Sequence, residues 1–510
     1  MPFDYLKIAS AEDLQGRDHF LYRVLEILPA FLSWGTLIIL IIMSWQKPVW
    51  VSFFIIAFDI YWLLLVIFLG LHLIAAYIKL KKNIRIDWKK KCAEQKNWQD
   101  IYHIIILPVL YENEGIVRTA LQSLIDDGFP PRKMIVVVTA EERAGQDACV
   151  RHKKVLEQYE DKFFKTYFTL HPDGIAGELK SKGANQAWAA RQVKKDLIDN
   201  LGIPEENFTI SVFDVDTIVR PGYFHRLTHA YLTVENRHRA SYQPVPVYNN
   251  NLWDASFFAR VAAMSNTFWQ MMQQIRQEKL ATYSSHSMSW QTLNEINFWS
   301  TNMVSEDSRI FWHCYLHFNG DYRVEPLYYP VSMDVVMDRT VWQSLRSLYK
   351  QQRRWGWGVE NLPYLMFNAF KRRKTIKKRN TFSRILVQLY GFHSWATNAL
   401  IIAVIGWLPL YFGGSDFTTT VLSGNLPVIT RTLMTIAMVG LILSAVISTL
   451  LLPSRPKKYR AIKFFIMIIQ WVILPVTIIF FGSLPALESQ TRLALGGKWR
   501  LGFWTTPKER

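Results

Sequence analysis

The chain has 510 residues, half of them hydrophobic, and 59 Lys and Arg against 41 Asp and Glu give a formal net charge of +18. That balance excludes an intrinsically disordered chain, which cannot carry so much apolar surface, and is too basic for an average soluble enzyme. A membrane and an anionic partner fit it instead.

Residues 1–26 mix acidic and basic side chains before the first apolar run, and no small-residue cleavage site closes a short apolar core. The first span is therefore expected to stay as an anchor behind a cytoplasmic N-terminal segment. Residues 27–45 carry no charge and 51–78 carry only Asp59 and His72, so each is long enough to cross a hydrocarbon core. Together they predict a transmembrane hairpin over 27–78, turned at Gln46, Lys47 and Pro48. Asp59 faces the bundle or lies close enough to one end to be interfacial. Lys79, Lys81, Lys82, Arg85, Lys89, Lys90 and Lys91 follow at once, and the positive-inside rule then places residues 79–345 in the cytoplasm. The three cysteines, Cys92, Cys149 and Cys314, stand far apart with no CxxC pair, as expected of free thiols in a reducing compartment.

Over residues 100–345 short apolar runs alternate with amphipathic segments, the pattern of an α/β domain. Residues 103–107, 134–138 and 208–213 read as buried strands; 115–124 and 182–197 have helical spacing, which predicts a largely parallel, helix-covered sheet. Asp214 then stands at the carboxyl end of a strand, where open α/β sheets bind ligands. His225 and His229 share a helical face at zinc-ligand spacing, but no third ligand follows, and a solvated helix is the better expectation. The apolar series Trp253, Phe257, Val261, Met264 and Phe268 reads as a core or membrane-contacting helix. No phosphate-binding glycine loop of either common type is present, so phosphate must be handled by metal and basic side chains.

Residues 346–384 form an expected interfacial segment ending in the basic clusters Lys371-Arg372-Arg373-Lys374 and Lys377-Lys378-Arg379. Apolar runs return at 385–412, 428–452 and 461–484 before a basic tail over 485–510 that holds Arg492, Lys498, Arg500, Lys508 and Arg510. Five crossings would leave that tail on the outside, against its charge. One run is expected to lie in the interface or re-enter, either 385–400 or the run broken at Pro475.

Three clusters carry chemistry. Asp214 and Asp216, one residue apart after a strand, can coordinate Mg²⁺ or Mn²⁺ on a diphosphate, with Asp216 the better direct ligand; alone, such a pair also serves as a loop or helix-cap carboxylate. Asp307, in Val304-Ser305-Glu306-Asp307, suits a base that deprotonates an attacking hydroxyl, and Glu306 with Asp307 also suits the acidic first turn of a helix. Gln351, Arg354 and Trp355 fall at i, i+3 and i+4, so on a helix they share a face that offers a planar donor fork and a stacking ring to a sugar diphosphate. A basic helix lying on anionic lipid would look similar.

With these clusters in this order between apolar spans, the chain resembles the membrane-embedded, inverting family 2 glycosyltransferases, the group that includes cellulose, chitin and hyaluronan synthases and shows D, DxD, TED and QxxRW signatures. The resemblance covers residues 100–360 by motif and the rest by layout. It implies a cytoplasmic GT-A-type nucleotide-sugar-binding domain inserted between N- and C-terminal transmembrane helices. It implies that Asp214 and Asp216 are the donor and metal carboxylates, Asp307 the catalytic base, and Gln351, Arg354 and Trp355 the pyrophosphate and acceptor contacts. Leu107-Pro108-Val109-Leu110-Tyr111-Glu112 looks like the first-strand turn that meets base and ribose, which makes Pro108 and Glu112 donor contacts. Lys182-Gly183-Ala184-Asn185 looks like the basic turn near the diphosphate. Three departures stand out. Thr139-Ala140-Glu141-Glu142-Arg143 replaces the first Asp, so that Glu141 takes its place; Ser305 stands for the TED threonine; and Tyr283-Ser284-Ser285-His286-Ser287 stands for the acceptor loop.

The expected activity is inverting transfer of a sugar from a UDP- or GDP-sugar, with Mg²⁺ or Mn²⁺, to a glycan or lipid-linked acceptor on the cytoplasmic face of the inner or plasma membrane. A processive synthase and a non-processive enzyme acting on a lipid or polyprenol carrier share such a site. The alternative of another class is a catalytically silent basic scaffold that binds anionic lipid. A nucleic-acid partner is not expected, because the charge clusters hug apolar spans.

Overall fold

The computed structural model describes residues 4–506, so Lys508 and Arg510 of the basic tail lie outside the described residues. At its centre is one sheet of eight strands: β1 (Tyr102–Val109), β2 (Met134–Glu141), β3 (Lys165–His171), β4 (Phe208–Val212), β5 (Ile218–Val219), β6 (Ala240–Tyr248), β7 (Ser287–Ser289) and β8 (Arg323–Met333). Their order is β3-β2-β1-β4-β7-β6-β8-β5.

The strands expected from apolar runs form the parallel half, with Ile105 of β1 beside Val136 of β2 and Ser211 of β4. Alternate residues of β1 feed opposite faces. Ile104 and Ile106 pack with Ala187, Ala190 and Val193 of the helix Lys182–Asp196, whereas Ile105 and Leu107 pack with Ile116, Val117 and Leu121 of the helix Glu114–Asp126. Both faces are covered, which is why these strands are almost wholly apolar.

The sheet is largely parallel, as expected, but mixed beyond β4, where β6 and β8 run parallel to each other. There β7 pairs antiparallel with β4 and β6, and β5 pairs antiparallel with β8. The sequence hides this half for a physical reason. β7 is a serine-rich strand held by Ser211 Oγ and Ser287 Oγ at 2.7 Å, and β6 and β8 carry Pro244, Pro246, Pro326 and Pro330, residues that argue against a strand. His225 is buried against Phe129, so the helix it shares with His229 is not the solvated one expected in the absence of a third metal ligand.

Among the described residues five helices are long and apolar enough to cross a membrane: Gly16–Gln46, Pro48–Arg85, Lys378–Phe412, Val421–Leu451 and Ala461–Leu495. The first begins well before the uncharged run because its charges are paired within the protein, Asp18 with Lys371 at 2.6 Å and Glu26 with Arg500 at 2.7 Å. The third leaves the sheet domain where Thr381 meets Tyr315, and its far end reaches Ile55 through Gly406. The fourth starts with Leu426 among Val51 and Ile55 and returns past Gly70, which lies against Leu443.

The fifth keeps to the sheet domain along its length. Gln470 accepts from Arg260 Nε at 2.7 Å, Trp471 stacks on Phe268, and Glu488 accepts from Arg353 at 2.7 Å. Its helix is interrupted by a 3₁₀ turn at Gln470–Ile473 and a π turn at Ile479–Ser483, on either side of Pro475.

Candidate active site

The carboxyl ends of β1, β2 and β4 converge with the starts of two helices. After β1, the Glu112 carboxylate folds back to accept the Leu110 N–H at 2.6 Å, and Pro108 stands beside it in the cavity wall. After β2, Glu141 is buried and paired with Arg143 at 2.6 Å. After β4 a tight turn, closed by the Thr217 N–H on the Asp214 carbonyl at 2.8 Å, presents Asp214.

Lys182 joins two of the clusters that are far apart in sequence. Its Nζ lies 2.7 Å from Asp214 Oδ1 and 3.2 Å from each oxygen of Asp307. Burial by itself would lower the ammonium, but the Asp214 and Asp307 carboxylates outweigh it and hold the group charged, above its ordinary value. Ser284 Oγ donates to the second oxygen of Asp214 at 2.8 Å.

This approach requires Gly183. A Cβ there would stand 2.8 Å from both Cβ and Cγ of Glu306 and 3.1 Å from the Ser300 carbonyl. Gly183→Ala is therefore expected to push the Lys182 turn off the Asp307 helix, cost about 1–3 kcal/mol by overpacking and lower the thermal midpoint in detergent. An unchanged midpoint with unchanged donor turnover would contradict that reading.

Asp307 stands in the first turn of the helix Glu306–His317. Its neighbour Glu306 is buried with Oε1 unpartnered, and burial, reinforced by the Asp307 charge, raises its carboxyl well above the usual range. His286 Nδ1 donates to the Tyr283 carbonyl at 2.9 Å and lies 4.0 Å from Asp307 Oδ1. Burial drives that imidazole below its ordinary value against the pull of Asp307, which keeps it neutral.

Gln351, Arg354 and Trp355 share one face of the helix Val341–Gly356, as their spacing suggested. Arg353, one residue away, turns outward to Glu488, whereas Arg354 turns into the cavity with its guanidinium 5.0 Å over the Phe503 ring and its buried Nε unpartnered. Trp355 packs beside Tyr248 at 6.2 Å. A guanidinium with an unused donor in a closed wall is poised for an anionic ligand.

All ten residues singled out in the sequence, from Pro108 to Trp355, line one cavity of about 670 Å³. Asp216 is buried, accepts the Asp334 N–H at 3.1 Å on Oδ2, and is bound through its carbonyl by Asn250 Nδ2 at 2.9 Å. Among the described residues no three His, Cys, Asp or Glu side chains converge to hold an ion. Two hard carboxylates are still what Mg²⁺ or Mn²⁺ takes from a protein when substrate phosphates fill the other positions, so the donor set of Asp214 and Asp216 fits.

Ser284, Asp334 and Phe503 escaped sequence reasoning. Phe503 had no signal at all, while Asp334 directly follows β8 and Ser284 lies in the loop already noted as a departure.

Solved structures similar to this chain include a mannosyltransferase from Pyrobaculum calidifontis, PcManGT, in complex with GDP-Man and Mn²⁺. It is 12% identical at a TM-score of 0.42, over 77% of this chain and 98% of that one. Residues 1–349 of TarS from S. aureus, in complex with UDP-GlcNAc, are 11% identical at a TM-score of 0.36, over 68% of this chain and 90% of that one. No curated protein matches the chain in sequence. The sequence model of glycosyl transferase family group 2 matches residues 209–484, from β4 through the Asp307 and Arg354 clusters into the last apolar helix, and the chain belongs to that family.

Proposed function

We propose that the protein is an integral-membrane, inverting glycosyltransferase that moves a sugar from a UDP- or GDP-sugar to a glycan or lipid-linked acceptor at the cytoplasmic face. The observation that carries this reading is the single Lys182 ammonium shared by Asp214 and Asp307, in a cavity that also holds Arg354. The base-side carboxylate and the diphosphate-side carboxylate are thus within one side chain's reach, the separation a single displacement requires.

In this reading Pro108, Glu112 and Glu141 meet the nucleoside, and Lys182 and Arg354 face the diphosphate. Asp214 and Asp216 would hold Mg²⁺ or Mn²⁺, which supplies positive charge to the departing diphosphate. Asp307 takes the proton of the acceptor hydroxyl as its oxygen bonds to the anomeric carbon; the bond from that carbon to the phosphate oxygen breaks, and its electron pair leaves with the nucleoside diphosphate. Gln351 and Trp355 orient the sugars, Trp355 by offering its ring face.

The domain division follows the same reading: a hairpin over 27–78, a catalytic domain over 79–345, an interfacial segment over 346–384, a helical region over 385–484 and a tail from 485. The helix Ala461–Leu495 is taken as the interfacial one, since both its ends touch the domain and its exposed face carries Phe465, Ile469, Val472 and Phe480. Four crossings then remain, and the basic tail returns to the cytoplasm.

The cavity runs on between the helices past Trp62, Tyr390, Trp395, Asn398, Thr477 and Phe481. Aromatic faces interleaved with amide and hydroxyl groups suit a growing glycan better than an acyl tail, which favours the processive form. The test uses the full chain in detergent with Mg²⁺ or Mn²⁺, screened against UDP- and GDP-sugars for release of nucleoside diphosphate, with product length read on a gel. A ladder of long products is expected. A product extended by one sugar would favour the lipid-carrier form. No release from any donor, with the 371–384 basic cluster alone needed for function, would leave the scaffold reading.

A further inference from the structure

Ser305 opens the helix that carries Asp307, the position where a serine normally turns its hydroxyl back to accept an N–H of its own first turn. Here it makes no such cap. Its hydroxyl and its backbone N–H both donate to one oxygen of Glu360, Oε1, at 2.8 and 3.0 Å. Glu360 is 2% exposed and does not line the cavity.

The next residue extends the contact. Asn361 Nδ2 donates to Ser308 Oγ at 2.9 Å, and Arg309 Nε donates to Asn361 Oδ1 at 2.6 Å. The first turn of the Asp307 helix is therefore tied to residues 360–361, the end of the 3₁₀ turn Trp357–Glu360 that follows the Arg354 helix and the first residue beyond it. That helix is itself seated, because Gly356 lies so close to Ala486 that a Cβ would stand 3.1 Å from its Cα. The Glu360 charge is met by Arg500 at 3.8 Å, and Arg500 is anchored on Glu26 at 2.7 Å. A capping hydroxyl diverted to a buried carboxylate, with a second tie one turn along, has no purpose in making the helix; it fixes where the helix begins.

We infer that Glu360 is a positioning residue, a strut whose Oε1 sets the distance and direction of Asp307 relative to Arg354. The inference rests on the proposed roles of those two residues. It acts through hydrogen-bond acceptance at fixed reach, not through charge. Displacement of a reacting group by about an ångström can cost on the order of 100-fold in rate, so the effect belongs on turnover rather than on donor binding.

Three variants of the full chain in detergent separate the possibilities. Glu360→Gln keeps an acceptor oxygen at the same reach and loses the charge; Glu360→Asp keeps the charge and withdraws it by one methylene; Glu360→Ala removes both. Glu360→Gln should stay within about threefold of wild-type kcat, whereas Glu360→Asp and Glu360→Ala should lose at least about tenfold in kcat with donor KM within about twofold. Amide hydrogen exchange at Ser305, Glu306 and Asp307 should quicken in the Asp and Ala variants and stay as in wild type for Gln. Unchanged exchange in those two variants overturns the strut whatever the activity. So does an active Asp variant beside an inactive Gln variant, which would make charge the operative property, or a loss of kcat and donor binding in step with the thermal midpoint. If the wild type releases no nucleoside diphosphate from any nucleotide sugar, the reading of the site fails, while the exchange data still decide whether Glu360 holds the helix start.

Discussion

Replacing Asp307 by Asn is expected to lower turnover by roughly 10²- to 10⁴-fold while donor KM stays within about twofold. The amide keeps the shape of the side chain and one oxygen for Lys182, which now stands 3.2 Å from each carboxylate oxygen. What it cannot do is take the acceptor proton. Removing this anion also leaves Asp214 as the one carboxylate bonded to Lys182 and frees more of its charge for a diphosphate, so donor binding has no reason to weaken. Initial rates of nucleoside diphosphate release at several donor concentrations check this. Wild-type turnover in the variant would remove Asp307 from the chemistry.

The second large effect concerns the divalent ion. Excess chelator is expected to abolish release, and Asp216→Asn to raise the metal concentration for half activity by about 10- to 100-fold or more. Asp216 is buried with one oxygen already accepting the Asp334 N–H, so its carboxylate is fixed before any ion arrives. Asn at this position keeps that acceptor and loses the charge, which separates metal affinity from folding. A metal titration of the variant, with its thermal midpoint as control, decides the matter; full activity in chelator would contradict the assignment.

The legible parts of the sequence were those in which chemistry restricts the residue choice. Asp214, Asp307 and Arg354 stood out as charges beside apolar segments, and the fold places all three on one cavity. The parallel strands β1, β2 and β4 were readable because burial on both faces leaves only apolar residues. The mixed half beyond β4 was not, since Ser211 and Ser287 pair through hydroxyls and the prolines of β6 and β8 imitate loops. The tie between Ser305 and Glu360 was equally silent: a hydrogen bond across 55 residues leaves no periodicity to detect. Composition gives no way to tell a crossing helix from one lying against the domain: Ala461–Leu495 is as apolar as the others, and its proposed interfacial placement rests on its contacts with Arg260, Phe268 and Arg353.

In the proposed mechanism one base acts opposite one leaving group in a single displacement, and that has a stereochemical consequence. Proton NMR of the first glycosidic bond formed from an α-linked nucleotide sugar reads it directly. Appearance of the β-anomer alone is the result expected of Asp307 acting as base. Formation of the α-anomer would require a different chemistry at this site and would contradict the account.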